Sequence, residues 1–148
     1  MINIAAQSSV YVDTNVIVYM VEGNKAFSAG IERMISAIEE SNSLLCTGEI
    51  AVAECLYKPY KEGASELALK YHRLFSSGDI QVIPLSSDII EQSARYGGGI
   101  GLKLVDAFNY FSALSAGCQY FITNDRRLPS GEELIVIQLQ ACIDERGS

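Results

Sequence analysis

Residues 104–125 read LVDAFNYFSALSAGCQYFITND, and the order of patterns inside this stretch decides the fold. Asp106 opens an apolar-rich run that reads as a helix from about Val105, and Gly117 is the kind of glycine that ends one. Residues 120–123 then read as a buried strand, with Asp125 just beyond it. A helix of about 11 residues carries the chain roughly 17 Å away from Asp106. The strand brings it back roughly 16 Å. The two displacements nearly cancel, so a right-handed crossover returns Asp125 to the edge where Asp106 sits.

Working outward, the same alternation fills the chain. Further strand-like runs are expected at residues 10–12, 44–47, 81–85 and 134–138. Helical periodicity lies between them. Phe27, Ile31, Met34, Ile35 and Ile38 mark one apolar face. A second helix is expected from about Ile50, stopping near Pro59. A third covers residues 64–76, and a fourth starts near Asp88 with Ser86 or Ser87 as its cap. Five strands alternating with helices imply an α/β chain whose mainly parallel sheet is covered on both faces. GGGIG at 97–101 reads as a flexible break between helices; it fits neither a dinucleotide fingerprint nor a phosphate loop.

Size and composition narrow the possibilities. The 148 residues suit a single domain, and the 49% hydrophobic content is that of a folded chain rather than a disordered one. No apolar run reaches the length of about 20 residues that a membrane helix needs, and MINIAAQSSV does not read as a signal peptide. Cys46, Cys55, Cys118 and Cys142 are widely spaced and form no zinc pattern with the lone His72, so they read as reduced core thiols of a cytoplasmic protein. A formal charge of -7 argues against broad electrostatic binding of nucleic acid. It is compatible with a nucleic-acid enzyme whose acids surround cations.

Four acids stand in related positions. Asp13 interrupts the apolar segment YVDTNVIVYM directly after the first strand; Glu54 lies in AVAEC early in a helix; Asp106 opens a helix; Asp125 follows a strand in FITNDRRL. Sites in parallel α/β sheets lie outside the carboxyl ends of the strands, which is where these acids converge. Carboxylates gathered there need cations, and oxygen ligands favour hard ions such as Mg²⁺ or Mn²⁺. Two such ions about 4 Å apart suit phosphodiester cleavage. Thr14, Asn15, Thr123 and Asn124 flank the acids, and Asn109 lies one turn beyond Asp106; all five are candidates to orient carboxylates or water. Each acid has an ordinary reading as well. Asp13 suits a helix N-cap, Glu54 a solvated helix position with Glu49 as competitor, Asp106 a helix-dipole partner and Asp125 an Asn-Asp turn. Arg126 and Arg127 are either phosphate contacts or solvated loop residues. Tyr57, Lys58, Tyr60 and Lys61 form an aromatic-basic patch that reads either as an RNA contact or, in its ordinary reading, as a solvated helix end.

YVDTNVIVY, AVAEC, LKLVDAFNYFSA and FITNDRRL together resemble the four acidic motifs of PIN domains, in order and in spacing. The resemblance spans nearly the whole chain. It implies a three-layer α/β/α sandwich with a central parallel sheet and Mg²⁺- or Mn²⁺-dependent ribonuclease activity. The acidic set it implies is Asp13, Glu54, Asp106 and Asp125, with Thr123 and Asn124 matching the polar pair before the last acid. The compact length is similar to VapC-like toxins, which implies an RNA substrate, a homodimer and a small antitoxin that occludes the site. Asn109 stands where the family often has His or another residue, and Val105 where it often has proline.

Other classes fit less well. A non-catalytic module binding RNA or protein on the same scaffold would not need the full acidic set. A phospho-acceptor receiver needs paired acids after the first strand and a late lysine. Asp13 has no acidic neighbour, and no lysine follows residues 134–138.

Overall fold

The computed structural model describes residues 2–128 and 130–144. Five strands, β1 (Ser9–Val12), β2 (Leu44–Gly48), β3 (Gln81–Ile83), β4 (Tyr120–Thr123) and β5 (Ile135–Gln138), form one sheet in the order β3-β2-β1-β4-β5. Every neighbouring pair is parallel. β1 is central, with Val10 facing Leu45 on one side and Tyr120 on the other. Among the described residues seven α-helices accompany the strands: α1 (Thr14–Glu22), α2 (Ser28–Glu40), α3 (Glu49–Lys61), α4 (Ser65–Ser76), α5 (Ser87–Tyr96), α6 (Leu104–Ser115) and α7 (Leu139–Asp144).

Strand alternation divides the interior into two cores. Val10 and Val12 of β1 and Tyr120 and Ile122 of β4 face α1, α2, α3, α4 and α7. Tyr11, Phe121 and Cys46 face the opposite way, against α5 and α6. The result is the expected three-layer α/β/α sandwich. All four cysteines are buried and unbridged. Among the described residues no helix is long and apolar enough to cross a membrane.

Some boundaries differ from expectation. α3 does not stop near Pro59; the proline is buried inside its last turn and the helix continues to Lys61. A proline removes one backbone bond and crowds the preceding turn, but burying its ring against the core offsets that cost so close to a helix end. β3 ends at Ile83 rather than at 85, because Pro84 has no N–H to continue the ladder. α1 is anticipated only by the reading of Asp13 as a helix N-cap, and α7 has no counterpart among the expected elements. α1 is rich in β-branched residues, which favour strands by propensity, yet Asp13 caps it and Val16 and Ile17 are buried.

GGGIG is a packed bend rather than a uniformly flexible one. It holds a 3-10 turn at Gly98–Ile100. A Cβ at Gly97 would come within 2.6 Å of the Ser93 carbonyl and 2.7 Å of the Ala107 Cβ, so glycine is what lets α5 approach α6. Gly101 adopts a φ of +79°, and Gly98 and Gly99 face open space.

Candidate functional site

Asp13 lies where β1 gives way to α1. Its N–H donates to the Ile122 carbonyl at 3.0 Å, extending the pairing with β4 by one residue. Its extended backbone then turns the chain into the helix, and its Oδ1 accepts the Thr14 N–H at 2.8 Å. The other oxygen, Oδ2, accepts the Thr123 hydroxyl at 2.8 Å. The two readings of this residue, helix cap and member of an acidic cluster, therefore coexist. Burial pushes the Asp13 carboxyl above the usual carboxylate range. Hydrogen bonds from Thr123 and Thr14 oppose this, and the negative charges of Glu54 and Asp106 add to it.

Glu54 is delivered by α3, which starts immediately after β2. Its Oε1 accepts the Thr14 hydroxyl at 2.7 Å and the Asn109 amide at 3.2 Å. The Asn109 carbonyl oxygen in turn accepts the hydroxyl of the fully buried Tyr11. Because a carboxylate only accepts and a buried phenol donates, this chain fixes which way the Asn109 amide faces. Gly48 leaves room for it, since a Cβ there would lie 2.6 Å from the Tyr11 oxygen. Tyr11 and Gly48 had no visible signal in the sequence, for both look like ordinary strand residues. Glu49, the competitor of Glu54, is turned away: its Oε1 accepts the Leu85 N–H at 2.7 Å.

Asp125 follows β4, and its N–H donates to the Thr123 hydroxyl oxygen at 2.9 Å. Thr123 thus links Asp125 to Asp13. Gln138 holds the same loop from β5 by donating to the Asp125 carbonyl at 2.9 Å. The Arg127 guanidinium clasps Asp125 through Nε at 3.0 Å and Nη2 at 2.8 Å. The same Nη2 reaches Asp106, in the first turn of α6, at 3.4 Å. The hydrogen bond from Arg127 holds the Asp125 carboxyl below its ordinary range, against the effect of partial burial.

The four sequence-identified acids thus share one edge. Of the supporting residues, Thr14, Thr123 and Asn109 are bonded into the cluster, while Asn124 donates to the Tyr19 hydroxyl at 3.3 Å. Asn15 and Arg126 are exposed and make no side-chain hydrogen bond among the described residues. His72 is exposed and pairs with the Tyr60 hydroxyl at 2.6 Å, on the surface joining α3 and α4.

The donor set is made of carboxylate oxygens, the chemistry of a site for a hard divalent cation rather than zinc. The negative charges of Glu54 and Asp106 near Asp13 are what such a cation would offset. Among the described residues no group of three His, Cys, Asp or Glu side chains is arranged to hold an ion as placed. Arg127 ties down Asp106 and Asp125, and Thr14 and Asn109 hold Glu54.

A parallel α/β/α sandwich with carboxylates at the carboxyl edge of its central strands defines the class. The PIN domain family model matches residues 10–133, and the chain belongs to that family. Solved structures agree on the fold. A chain of VapBC2 from Rickettsia felis, bound to a DNA fragment from their promoter, is similar with a TM-score of 0.67 at 18% identity, covering 88% of this chain and 98% of that one. VapC20 of Mycobacterium tuberculosis, a Sarcin-Ricin loop cleaving toxin, is similar with a TM-score of 0.63 at 16% identity, covering 76% and 86%. A toxin-antitoxin complex from Klebsiella pneumoniae gives a TM-score of 0.62 at 19% identity, covering 85% and 95%. No curated protein sequence matches the chain.

Proposed function

We propose that this protein is a Mg²⁺- or Mn²⁺-dependent endoribonuclease, hydrolysing RNA phosphodiester bonds as a VapC-like toxin. The observation that carries the reading is the linkage of Asp13, Glu54, Asp106 and Asp125 through Thr14, Thr123 and Arg127 at one sheet edge. Family membership supports a nuclease, and the VapC20 structure supports RNA as the substrate class.

Asp13, Asp106 and Asp125 would hold the divalent ion, and Glu54 would complete its surroundings or orient water. Bound there, Mg²⁺ or Mn²⁺ supplies charge stabilisation to the phosphate and lowers the pKa of water. The protein's own share is positional. Thr123 fixes the Asp13 carboxylate, and Thr14 with Asn109 fixes Glu54, so that little reorganisation accompanies the reaction. Arg126 and Arg127, exposed beside Asp125, are placed to meet backbone phosphates.

We further propose a homodimer and a small antitoxin as partners, by similarity to the toxin-antitoxin complexes that share the fold. The test is cleavage of defined RNAs by the purified protein. Cleavage with Mg²⁺ or Mn²⁺, abolished by chelator and by Asp106→Asn, is expected. RNA binding without cleavage across several divalent metals would favour a non-catalytic PIN-fold binding module instead.

A further inference from the structure

Arg127 makes contacts that a surface loop arginine does not need. Its Nε and backbone N–H both donate to Asp125 Oδ1 at 3.0 Å, and its Nη2 donates to Asp125 Oδ2 at 2.8 Å. The same Nη2 lies 3.4 Å from Asp106 Oδ2. One guanidinium therefore spans two carboxylates that arrive from different elements, α6 and the loop after β4. The exposures are ordered outward: the Arg127 side chain is 59% exposed, against 29% for Asp106 and 17% for Asp125. The cation covers the two acids from the solvent side, on a long flexible stem. Arg126, its neighbour, has no such partner among the described residues.

We propose that Arg127 is a built-in competitor for the divalent ion, so that loading the centre requires its guanidinium to leave Asp106 and Asp125. This rests on the metal-dependent reading of the same acids. A guanidinium and a divalent cation repel each other, and both seek the same carboxylate oxygens, so the two occupancies exclude one another. The backbone N–H of Arg127 stays on Asp125 when the side chain swings out, which keeps that carboxylate aimed at the centre. The released guanidinium remains beside the site, where its fork suits the oxygens of a phosphate. The charge that pairs with Asp106 and Asp125 is thereby available to substrate once those carboxylates hold the ion.

Titration of the intact protein with Mn²⁺, following the free ion by electron paramagnetic resonance, tests the competition without any turnover. Arg127→Ala is expected to bind Mn²⁺ more tightly, on the order of fivefold, the scale set by an exposed ion pair. Arg126→Ala removes the same charge from the same loop and is expected to stay within about twofold of wild type, since screening weakens unpaired surface charges. Unchanged or weaker binding in Arg127→Ala overturns the competition, as does an equal gain in Arg126→Ala. Asp106→Asn separates the two levels. If it weakens Mn²⁺ binding while Arg127→Ala does not strengthen it, only the competition fails. If Asp106→Asn binds like wild type, the centre itself is misassigned and the competition falls with it.

Discussion

Asp13 shows how one side chain serves structure and chemistry at a cost. It caps α1 through Oδ1 and receives Thr123 through Oδ2, yet burial raises its pKa. A carboxyl with a raised folded-state pKa destabilises the fold once ionised; the penalty is complete above the folded pKa and vanishes as pH falls to the ordinary range. Asp13→Asn is therefore expected to raise the metal-free melting temperature at neutral pH and, under the proposed function, to abolish RNA cleavage. The thermal gain should disappear in acid, where Asp13 is protonated in both states; a fall in melting temperature at pH 7 would contradict the desolvation argument. Asp125 behaves oppositely, since Arg127 holds its pKa down and its contribution is lost as pH falls through that lowered value. Tyr11→Phe tests the relay behind Glu54. Removing the hydroxyl strands the buried Asn109 carbonyl oxygen, a loss of about 1–3 kcal/mol seen in denaturant unfolding. At this scale the shared edge of Asp13, Asp106 and Asp125 was legible in the sequence because strand ends and a helix start index them, whereas Glu54, in the second turn of α3, had Glu49 as a competitor that only the fold removes. Tyr11, Gly48 and Gln138 were not, because their roles depend on partners that only the folded chain brings near.

Among the elements, the stretch from α6 to β4 was legible nearly residue by residue, since an apolar helix, a stop glycine and a fully buried strand give unambiguous local signals. α1 was signalled only by Asp13 as a possible cap, because its β-branched run carries strand propensity, which capping plus burial overrule. α7 is short, and six residues carry too little periodicity to be read. The close approach of β2 to β1 and α6 was invisible as well, although it depends on Gly48. Its φ is -106°, so the glycine is needed for space and not for backbone freedom. Gly48→Ala is expected to cost about 2 kcal/mol of stability through the clash with the Tyr11 hydroxyl. In the Tyr11→Phe background that cost should shrink markedly, a coupling that a double-mutant cycle measures directly. Equal costs in both backgrounds would show that the clash is relieved elsewhere.

Across the whole molecule, the negative balance of the sequence and the basic residues flanking the site set how RNA would be engaged under the proposed function. The formal charge is -7, and the cations beside the cluster are Arg126, Arg127 and Lys103. Neutralising two phosphates of a single strand gives a salt dependence with a slope of about -1.4. A shallow slope near that value is expected in a binding isotherm measured with Asp106→Asn and Mn²⁺; a slope steeper than about -4 would demand a basic surface that these residues do not supply. The arrangement that makes this economical is the parallel sheet itself, which returns successive strands to one edge. Whether that edge is a centre for hard divalent cations is answered most directly by anomalous diffraction from crystals soaked in Mn²⁺. A manganese peak bounded by Asp13, Asp106 and Asp125 is the predicted result. Saturating Mn²⁺ that leaves no peak among those three carboxylates would contradict it.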